Sequence, residues 1–468
     1  MRHCMSGRLA GPLRSLCARF GQQEGLPFSK VLSAEQVEQA LRDESMRWRD
    51  RIFSPALTLW AFLTQCLNPD SSCAAAVAGV IVWLVREGRP SCAAHTGSYC
   101  KARKRLPEAV VRRLVRETGQ GLHQQVPDGW HWHGRKVKVV DGTTLSMPDT
   151  VANQKAYPQH NAQKPGIGFP ILRVVSIFCL ASGAVLEAAI GRYQGPRSGE
   201  NSMLREMGDS LEPGDVLLGD CAFSSYFDLA DRLGRRVDVV VRIHQCRRVN
   251  FHLGRRLGHC DHVVEWERPT RPDWMDETTY AAVPATLAVR EVQVRVRGKG
   301  FRTRIYVVAT TLLNAETYPA EAVAELYRRR WQAELFLRSL KVALGMDVLR
   351  CLAPEMVRKE IWTHLLAYNL LRTVMAQAAQ AHGLAPWHLS FKGALQTVLA
   401  FASLLDSAHA ERLSHLYVRL LRAVASRRVG ERPGRVEPRQ RKRRPRHYPH
   451  LTQPRKQARA KLFHRMAA

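Results

Sequence analysis

The fold is decided by residues 215–243, which read DVLLGDCAFSSYFDLADRLGRRVDVVVRI. Residues 215–220 form a short apolar run that predicts a buried strand, and residues 237–243 predict another. Between them, residues 226–233 have the apolar spacing of a helix. This order of strand, helix and strand is typical of an α/β layout.

Three further strands are predicted upstream of this segment. Residues 135–140 alternate basic and apolar side chains and end at Asp141-Gly142, and two apolar runs follow at residues 170–178 and 184–190. Residues 200–211 have helical spacing. Together these segments predict a mixed α/β fold in which helices cover a central sheet.

A β-rich insertion is predicted at residues 244–300, which are strand-like and rich in arginine. Near its end, apolar and polar positions alternate: Val292, Gln293, Val294, Arg295, Val296 and Arg297. Alternating side chains point to opposite faces of a strand, so one face here is basic. We expect Arg295 and Arg297 to contact DNA from that face.

The charge balance indicates a polyanionic partner. The chain has 71 Lys and Arg against 41 Asp and Glu, a formal net charge of +30, which favours nucleic acid or an anionic membrane surface. The longest apolar run, residues 74–85, is shorter than the roughly 20 residues that span a bilayer. No secretion signal is evident, and the 11 cysteines are scattered, so we expect a cytoplasmic, nucleoid-associated protein with reduced thiols.

The end of the chain is compositionally distinct. Residues 427–465 contain 15 Lys and Arg against 2 acids, together with several prolines. Such a composition predicts a segment that is disordered until it binds DNA.

A polar stripe lies on the long helix that residues 319–344 predict. Tyr327, Arg330, Glu334 and Lys341 fall within roughly a 60° arc at the 3.6-residue period of a helix. One carboxylate here lies beside two cations and a phenol. A solvated, salt-bridged helix face is the alternative interpretation of this stripe.

Two more carboxylates follow predicted strands. Asp141 comes after the first strand and Asp220 after the fourth, and we expect these strands to be neighbours. Each has a simpler interpretation, because Asp141-Gly142 is a hairpin-turn signal and Asp220 could cap the following helix. With Glu334, however, the two aspartates supply three hard oxygen ligands. Such a set suits two Mg²⁺ or Mn²⁺ ions that promote in-line phosphoryl transfer.

The chain resembles a family at these residues. Tyr327, Arg330, Glu334 and Lys341 match the Y-R-E-K signature of the DDE transposases of the insertion-sequence-4 family. Asp141-Gly142-Thr143 is similar to the family's first aspartate block, Asp220 with Phe223 to its second, and Gly166-Ile-Gly-Phe-Pro to its substrate loop. Cys221-Ala222 replace the Arg-Gly that usually follows the second aspartate, and the resemblance covers about residues 25 to 380.

The resemblance implies a ribonuclease-H-like catalytic core with a β-rich insertion. It implies that Asp141, Asp220 and Glu334 bind the metal ions and that Tyr327, Arg330 and Lys341 contact phosphates at the transposon ends. We expect both cations to be reserved for phosphate, because a tight Arg330–Glu334 ion pair would compete with the metal for the same oxygens.

The predicted division of the chain has six parts. These are a helical DNA-binding domain at 1–134, two parts of the catalytic core at 135–243 and 301–345, the insertion at 244–300, a C-terminal helical region at 346–426 and the basic tail at 427–468.

The function expected is that of a DNA transposase which cuts double-stranded DNA at its element's ends and joins them to target DNA. Holding two ends requires a dimer or a larger synaptic complex. Two alternatives stay open: a metal-dependent nuclease on the same core, and a catalytically silent DNA-binding protein derived from a transposase.

Weaker signals lie in the insertion. Five residues there are of zinc-ligand types, although their spacing favours ordinary loop positions: Cys246, His252, His259, Cys260 and His262. Trp266 and Trp274 could stack on an unpaired base, but core packing is favoured for both.

Overall fold

The computed structural model describes residues 34–44, 52–68, 70–86, 88–295, 305–407, 410–430 and 448–467. The chain divides into two compact units. Unit 1 comprises residues 1–134, 177–187 and 335–429, and unit 2 comprises residues 135–176, 188–334 and 430–468.

The described residues contain nine strands and fifteen α-helices. The strands are β1 (Val137–Ser146), β2 (Ile171–Cys179), β3 (Val185–Arg192), β4 (Val216–Gly219), β5 (Asp238–Arg242), β6 (Arg255–Gly258), β7 (Asp261–Glu267), β8 (Thr286–Arg295) and β9 (Ile305–Thr310). The helices are α1 (Ala34–Asp43), α2 (Pro55–Leu67), α3 (Cys73–Arg86), α4 (Gly97–Arg105), α5 (Glu108–Gln124), α6 (Val151–Ala156), α7 (Glu200–Glu206), α8 (Tyr226–Gly234), α9 (Glu277–Ala282), α10 (Ala320–Arg329), α11 (Trp331–Arg338), α12 (Pro354–Ala381), α13 (Phe391–Ser407), α14 (Ala410–Ala425) and α15 (Arg455–Ala467).

One mixed sheet contains all nine of these strands, in the order β3-β2-β1-β4-β5-β9-β8-β7-β6. In unit 2, β1, β4 and β5 run parallel, as the apolar runs of β4 and β5 require for strands buried on both faces. From β5 onward the pairing is antiparallel through β9, β8, β7 and β6. The sequence-based prediction that the first and fourth strands are neighbours is therefore confirmed.

Strand β1 is longer than predicted. It continues through Asp141-Gly142 to Ser146, so the interpretation of this dipeptide as a hairpin turn is wrong. Gly142 has another reason to be glycine, because a Cβ atom there would lie only 2.5 Å from Glu200 Oε1.

The predicted helix over residues 319–344 is interrupted. Helix α10 ends at Arg329 and α11 begins at Trp331, and a π-helical turn, Ser339–Ala343, follows α11. A projection at 3.6 residues per turn does not carry across such interruptions. The prediction that Tyr327 and Lys341 share one stripe of a continuous helix is therefore wrong.

The tail is also more ordered than its composition predicts. Helix α15 covers Arg455–Ala467, which corrects the expectation of disorder for that part, while residues 431–447 lie outside the described residues. Pro454, just before α15, lies against Gly166, where a Cβ atom would approach its Cγ to 3.0 Å.

Unit 1 is built around the 28-residue helix α12, most of which is buried. Its Asn369 side chain accepts from Val185 N at 2.8 Å and donates to Val115 O at 3.0 Å. Such a buried amide fixes the register of the elements it joins, since an unmade bond there would cost about 1–3 kcal/mol. Among the residues described, no helix is both long and apolar enough to cross a membrane.

Candidate active site

Two carboxylates are brought together by the register of the parallel strands. Val139 of β1 pairs with Leu218 of β4, and continuing that register by two residues sets Asp141 beside Asp220. Asp220 directly follows β4 and accepts a hydrogen bond from Ala222 N at 2.8 Å, as the cap of a 3-10 turn, Cys221–Phe223. The interpretation of Asp220 as a cap is thus confirmed, and it coexists with a position at the strand end.

The turn after β4 is held by close packing. Phe223 is buried, and its ring lies against Gly219, where a Cβ atom would be 3.0 Å from the ring. The side-chain amide of Asn201 donates to Ala222 O at 2.6 Å. Both contacts restrict where the Asp220 carboxylate can point.

Asp141 is electrostatically strained. Its pKa is raised to about 6, chiefly by burial and also by the negative charges of Asp220 and Glu200. A hydrogen bond from Gly142 N and the positive charge of Arg330 oppose the rise. A carboxyl group held among other carboxylates in this way favours any cation that can join them.

Glu334 is linked to Asp141 through Arg330, which interacts with both carboxylates. Arg330 Nη2 donates to Glu334 Oε1 at 3.0 Å, and Arg330 is also electrostatically coupled to Asp141. The expectation that Arg330 stays unpaired with Glu334 is therefore wrong.

Tyr327 completes this group of side chains. It is buried, its ring centroid lies 5.1 Å from that of Tyr306, and Arg330 Cζ lies 6.0 Å from its centroid. Burial raises the pKa of the phenol, so Tyr327 is a neutral hydrogen-bond donor at ordinary pH.

Two of the remaining predicted DNA contacts, Lys341 and Arg295, lie within the described residues. Lys341 lies in the π-helical turn, within unit 1. Arg295 ends β8 with its side chain exposed, while Val292 and Val294 on the other face are buried, as the alternation predicts. Arg297 lies outside the described residues.

Sequence reasoning missed Glu200. It is the first residue of α7, its carboxylate lies over Gly142, and Arg173 Nε is 3.8 Å from its Oε1. Burial raises the pKa of Glu200, and Asp220 raises it further against the opposing effect of Arg173. The available signal was a glycine directly after a candidate catalytic aspartate within a strand, since such a glycine often marks a close approach.

The donor set fits hard divalent cations, because the candidate ligands are all carboxylate oxygens. Within the described residues, however, no three Asp, Glu, His or Cys side chains are already placed to hold a metal ion. Glu334 is engaged by Arg330, and uncompensated carboxylates repel one another.

The weaker signals of the insertion have structural explanations. His262 is buried in β7, with Nε2 2.9 Å from Glu291 Oε2, so its interpretation as a loop residue is wrong. Trp266 is buried and donates to Glu291 Oε1 at 2.8 Å, which confirms core packing. Trp274 is 51% exposed under the Arg205 guanidinium, so core packing is wrong for this residue.

Comparisons with known proteins relate this chain to transposases. The family described as Transposase DDE domain matches residues 132–370. The chain is 28% identical over 355 residues to the transposase InsG for insertion sequence element IS4 of Escherichia coli strain K12, covering 75% of this chain and 77% of that protein. A shorter match, 40% identical over 70 residues, relates it to the transposase for insertion sequence element IS421 of Escherichia coli, at 15% and 19% coverage.

Among solved structures, a piggyBac transposase synaptic complex with hairpin DNA aligns with 92% of this chain and 88% of its own chain. The identity is 11% and the TM-score 0.42.

Proposed function

We propose, from the premise that this chain belongs to the DDE transposases, that it cleaves double-stranded DNA at the ends of its own insertion sequence and joins those ends to target DNA. The observation that carries the proposal is the register of β1 and β4, which sets Asp141 beside Asp220 at the same level of two parallel strands. This is the edge of an α/β sheet where sites gather.

Strands β1–β5 form the ribonuclease-H-like core in this proposal. Their order in the sheet is β3-β2-β1-β4-β5, and the strands of residues 255–295 form the β-rich insertion that extends it. The division into 1–134, 135–243, 244–300, 301–345, 346–426 and 427–468 belongs to the same proposal.

Asp141, Asp220 and Glu334 would hold two Mg²⁺ or Mn²⁺ ions. When bound, such ions stabilise the charge that develops on the attacking and leaving oxygens of a phosphoryl transfer. Asp220 contributes a fixed position at the end of β4 and Asp141 one within the neighbouring β1, and Glu334 contributes a carboxylate that is paired with Arg330.

Arg330 and Tyr327 would bind the phosphate next to the cleaved bond. Arg330 is a planar, permanently charged donor, and Tyr327 is a neutral phenol that donates without adding charge. Lys341 would contact transposon-end phosphates with them, Arg295 and Arg297 would contact DNA from the basic face of the insertion, and the charge of +30 would attract target DNA. A dimer would hold the two ends together.

The test uses a plasmid that carries the element's inverted-repeat ends. Asp141→Asn, Asp220→Asn and Glu334→Gln are each expected to abolish Mg²⁺-dependent nicking, while end binding in a mobility-shift assay stays within about threefold. Asp209→Asn is the matched control, because Asp209 is exposed and pairs only with Arg235 among the interactions described.

The alternatives make different predictions in the same assay. Cleavage without joining to target DNA would favour the nuclease, and end binding without any cleavage by the unaltered protein would favour the silent DNA-binding protein. An Asp220→Asn protein that still nicks DNA would contradict the assignment of the site.

A further inference from the structure

We infer that Arg242 binds a DNA phosphate in this active site, beside Asp220 and together with Arg330 and Tyr327. This inference rests on the proposed function and adds to it an arginine outside the Y-R-E-K signature.

The first argument is the position of Arg242 at the end of β5. Gly219 of β4 pairs with Val241 of β5, and continuing that register by one residue sets Asp220 beside Arg242. The backbone of Asp220 is still extended, so the register carries across this step. Residues at one level of neighbouring parallel strands point to the same face of the sheet. Asp141, Asp220 and Arg242 thus follow one another across β1, β4 and β5 on one face.

The second argument is the aromatic link from Arg242 to Tyr327. Arg242 pairs with Val308 of the antiparallel β9, so Tyr306, two residues away, points to the same face. Arg242 Cζ lies 5.9 Å from the centroid of the Tyr306 ring, and that centroid is 5.1 Å from the centroid of Tyr327. The pKa of Tyr327 is raised chiefly by burial and also by the charge of Asp220, while Arg242 opposes the rise. Both charges therefore act on the phenol that the proposed function assigns to phosphate.

The third argument is that the charge of Arg242 is not used inside the protein. Its side chain is partly exposed and makes no ion pair with a carboxylate among the described residues. By contrast, Arg330 is paired with Glu334. The contact with Tyr306 is near the outer limit of about 6 Å for a cation over an aromatic ring. The chain that follows also lacks a competing acid, because residues 242–260 contain five arginines and no Asp or Glu.

A phosphate is the ligand that this position favours. In the proposed reaction the cleaved strand lies against Asp141 and Asp220, which repel its negative charge. An arginine at the same level of the sheet offsets that repulsion and can bind a phosphate through two parallel hydrogen bonds. An arginine that only stabilised the fold here would pair with Asp220, and the described residues contain no such pair.

The experiment measures single-turnover, Mg²⁺-dependent nicking by the full-length protein on a duplex that carries one end of the element. Arg242→Gln is expected to reduce the rate by roughly 10- to 100-fold, the loss expected for a hydrogen bond to a charged group. Arg242→Lys should keep part of the rate, since lysine supplies the charge but not the planar pair of donors. End binding in a mobility-shift assay should stay within about threefold, because one cation is removed from a chain of net charge +30. Arg235→Gln is the matched control, because it removes one positive charge from a surface ion pair.

A second set of duplexes identifies the phosphate. Each duplex replaces one backbone phosphate near the cut by a neutral methylphosphonate. At the phosphate that Arg242 binds, the unaltered protein should lose roughly 10- to 100-fold in rate, whereas Arg242→Gln should lose no further rate because the interaction is already absent. At the other positions the two proteins should be affected alike. A packing role against Tyr306 would not produce this position-specific coupling.

The outcomes separate the inference from the proposed function. Three results would overturn the inference and leave the proposed function standing: a nicking rate of Arg242→Gln equal to that of Arg235→Gln, a further loss in Arg242→Gln at every methylphosphonate position that slows the unaltered protein, or earlier melting with near-normal nicking per folded molecule. Absence of nicking by the unaltered protein would overturn both. Position-specific coupling in Arg242→Gln, with Arg235→Gln behaving as the unaltered protein, supports the inference.

Discussion

At the scale of single residues, Asp141 determines how the site responds to pH. Its ordinary pKa of 3.8 rises to about 6 in the folded protein, chiefly through burial. A carboxyl group with a raised pKa binds its proton more tightly in the folded state than in the unfolded state. Its contribution to stability is therefore fully present below about pH 3.8 and is lost as the pH rises through about 6.

The first prediction follows from the direction of this pKa shift. In the presence of a chelator, the melting temperature of the unaltered protein should fall relative to that of Asp141→Asn between pH 4 and 7. The difference in unfolding free energy should reach at most about 3 kcal/mol. Asp209→Asn makes the same change at an exposed position, and its melting temperature should change with pH as that of the unaltered protein does. A constant gap between unaltered and Asp141→Asn proteins across this range would contradict the raised pKa.

The second prediction concerns Arg330. The side chain of Glu334 is 39% exposed, so the Arg330–Glu334 pair should stabilise the fold by no more than about 1 kcal/mol. Arg330→Gln should therefore melt close to the unaltered protein without DNA, yet lose cleavage by roughly 100-fold or more because a phosphate donor is gone.

Arg235→Gln is the matched control, since Arg235 is a surface arginine paired with Asp231 and Asp209. Marked destabilisation combined with near-normal cleavage per folded molecule would show that Arg330 is a structural residue instead.

At the scale of elements, the sequence identified the strands well and their exact ends poorly. The strands β4 and β5 can be recognised from their continuous apolar runs, because both faces of a parallel strand are buried. By contrast, β1 passes through an Asp-Gly pair that locally favours a turn, and only the distant Glu200 explains the glycine. Tertiary packing of this kind leaves no signal in a local pattern.

The same limit applies to the candidate site. Asp141 and Asp220 could be placed together because strand neighbours follow from the order of elements. The Arg330–Glu334 pair depends on the charges around it, and the position of Lys341 depends on the π-helical turn that contains it. Neither follows from residue spacing at an ideal helical period.

The third prediction belongs to strand β8. Because Val292 and Val294 are buried, replacing side chains on the opposite face should leave the insertion folded. Arg295→Gln with Arg297→Gln should weaken DNA binding and reduce the slope of log affinity against log salt by about 0.9 for each phosphate that the protein no longer neutralises. Binding to the element's ends at several salt concentrations measures this slope, with Arg235→Gln as control. An unchanged slope would show that the basic face is only solvated.

At the scale of the whole molecule, positive charge is spread over the chain and concentrated at its end. Residues 427–465 carry 15 of the 71 Lys and Arg. Charge at this density attracts any duplex, since phosphate contacts carry no direct sequence information.

The fourth prediction is that truncation after Gly430 lowers affinity for all duplexes by a similar factor. The preference for the element's ends over random DNA of equal length should persist, because phosphate contacts made by such a basic segment carry no direct sequence information. Competition binding with the two duplexes measures both quantities. An uncharged tail of equal length is the control for chain length, and loss of end preference on truncation would instead make the tail a recognition element.

The Arg330–Glu334 ion pair has a consequence for the order of DNA binding and cleavage. In the proposed enzyme, the third carboxylate is paired with its own arginine before DNA binds. A DNA phosphate that binds Arg330 would compete with Glu334 for the guanidinium and so release the glutamate for a metal ion. DNA binding would then have to precede cleavage.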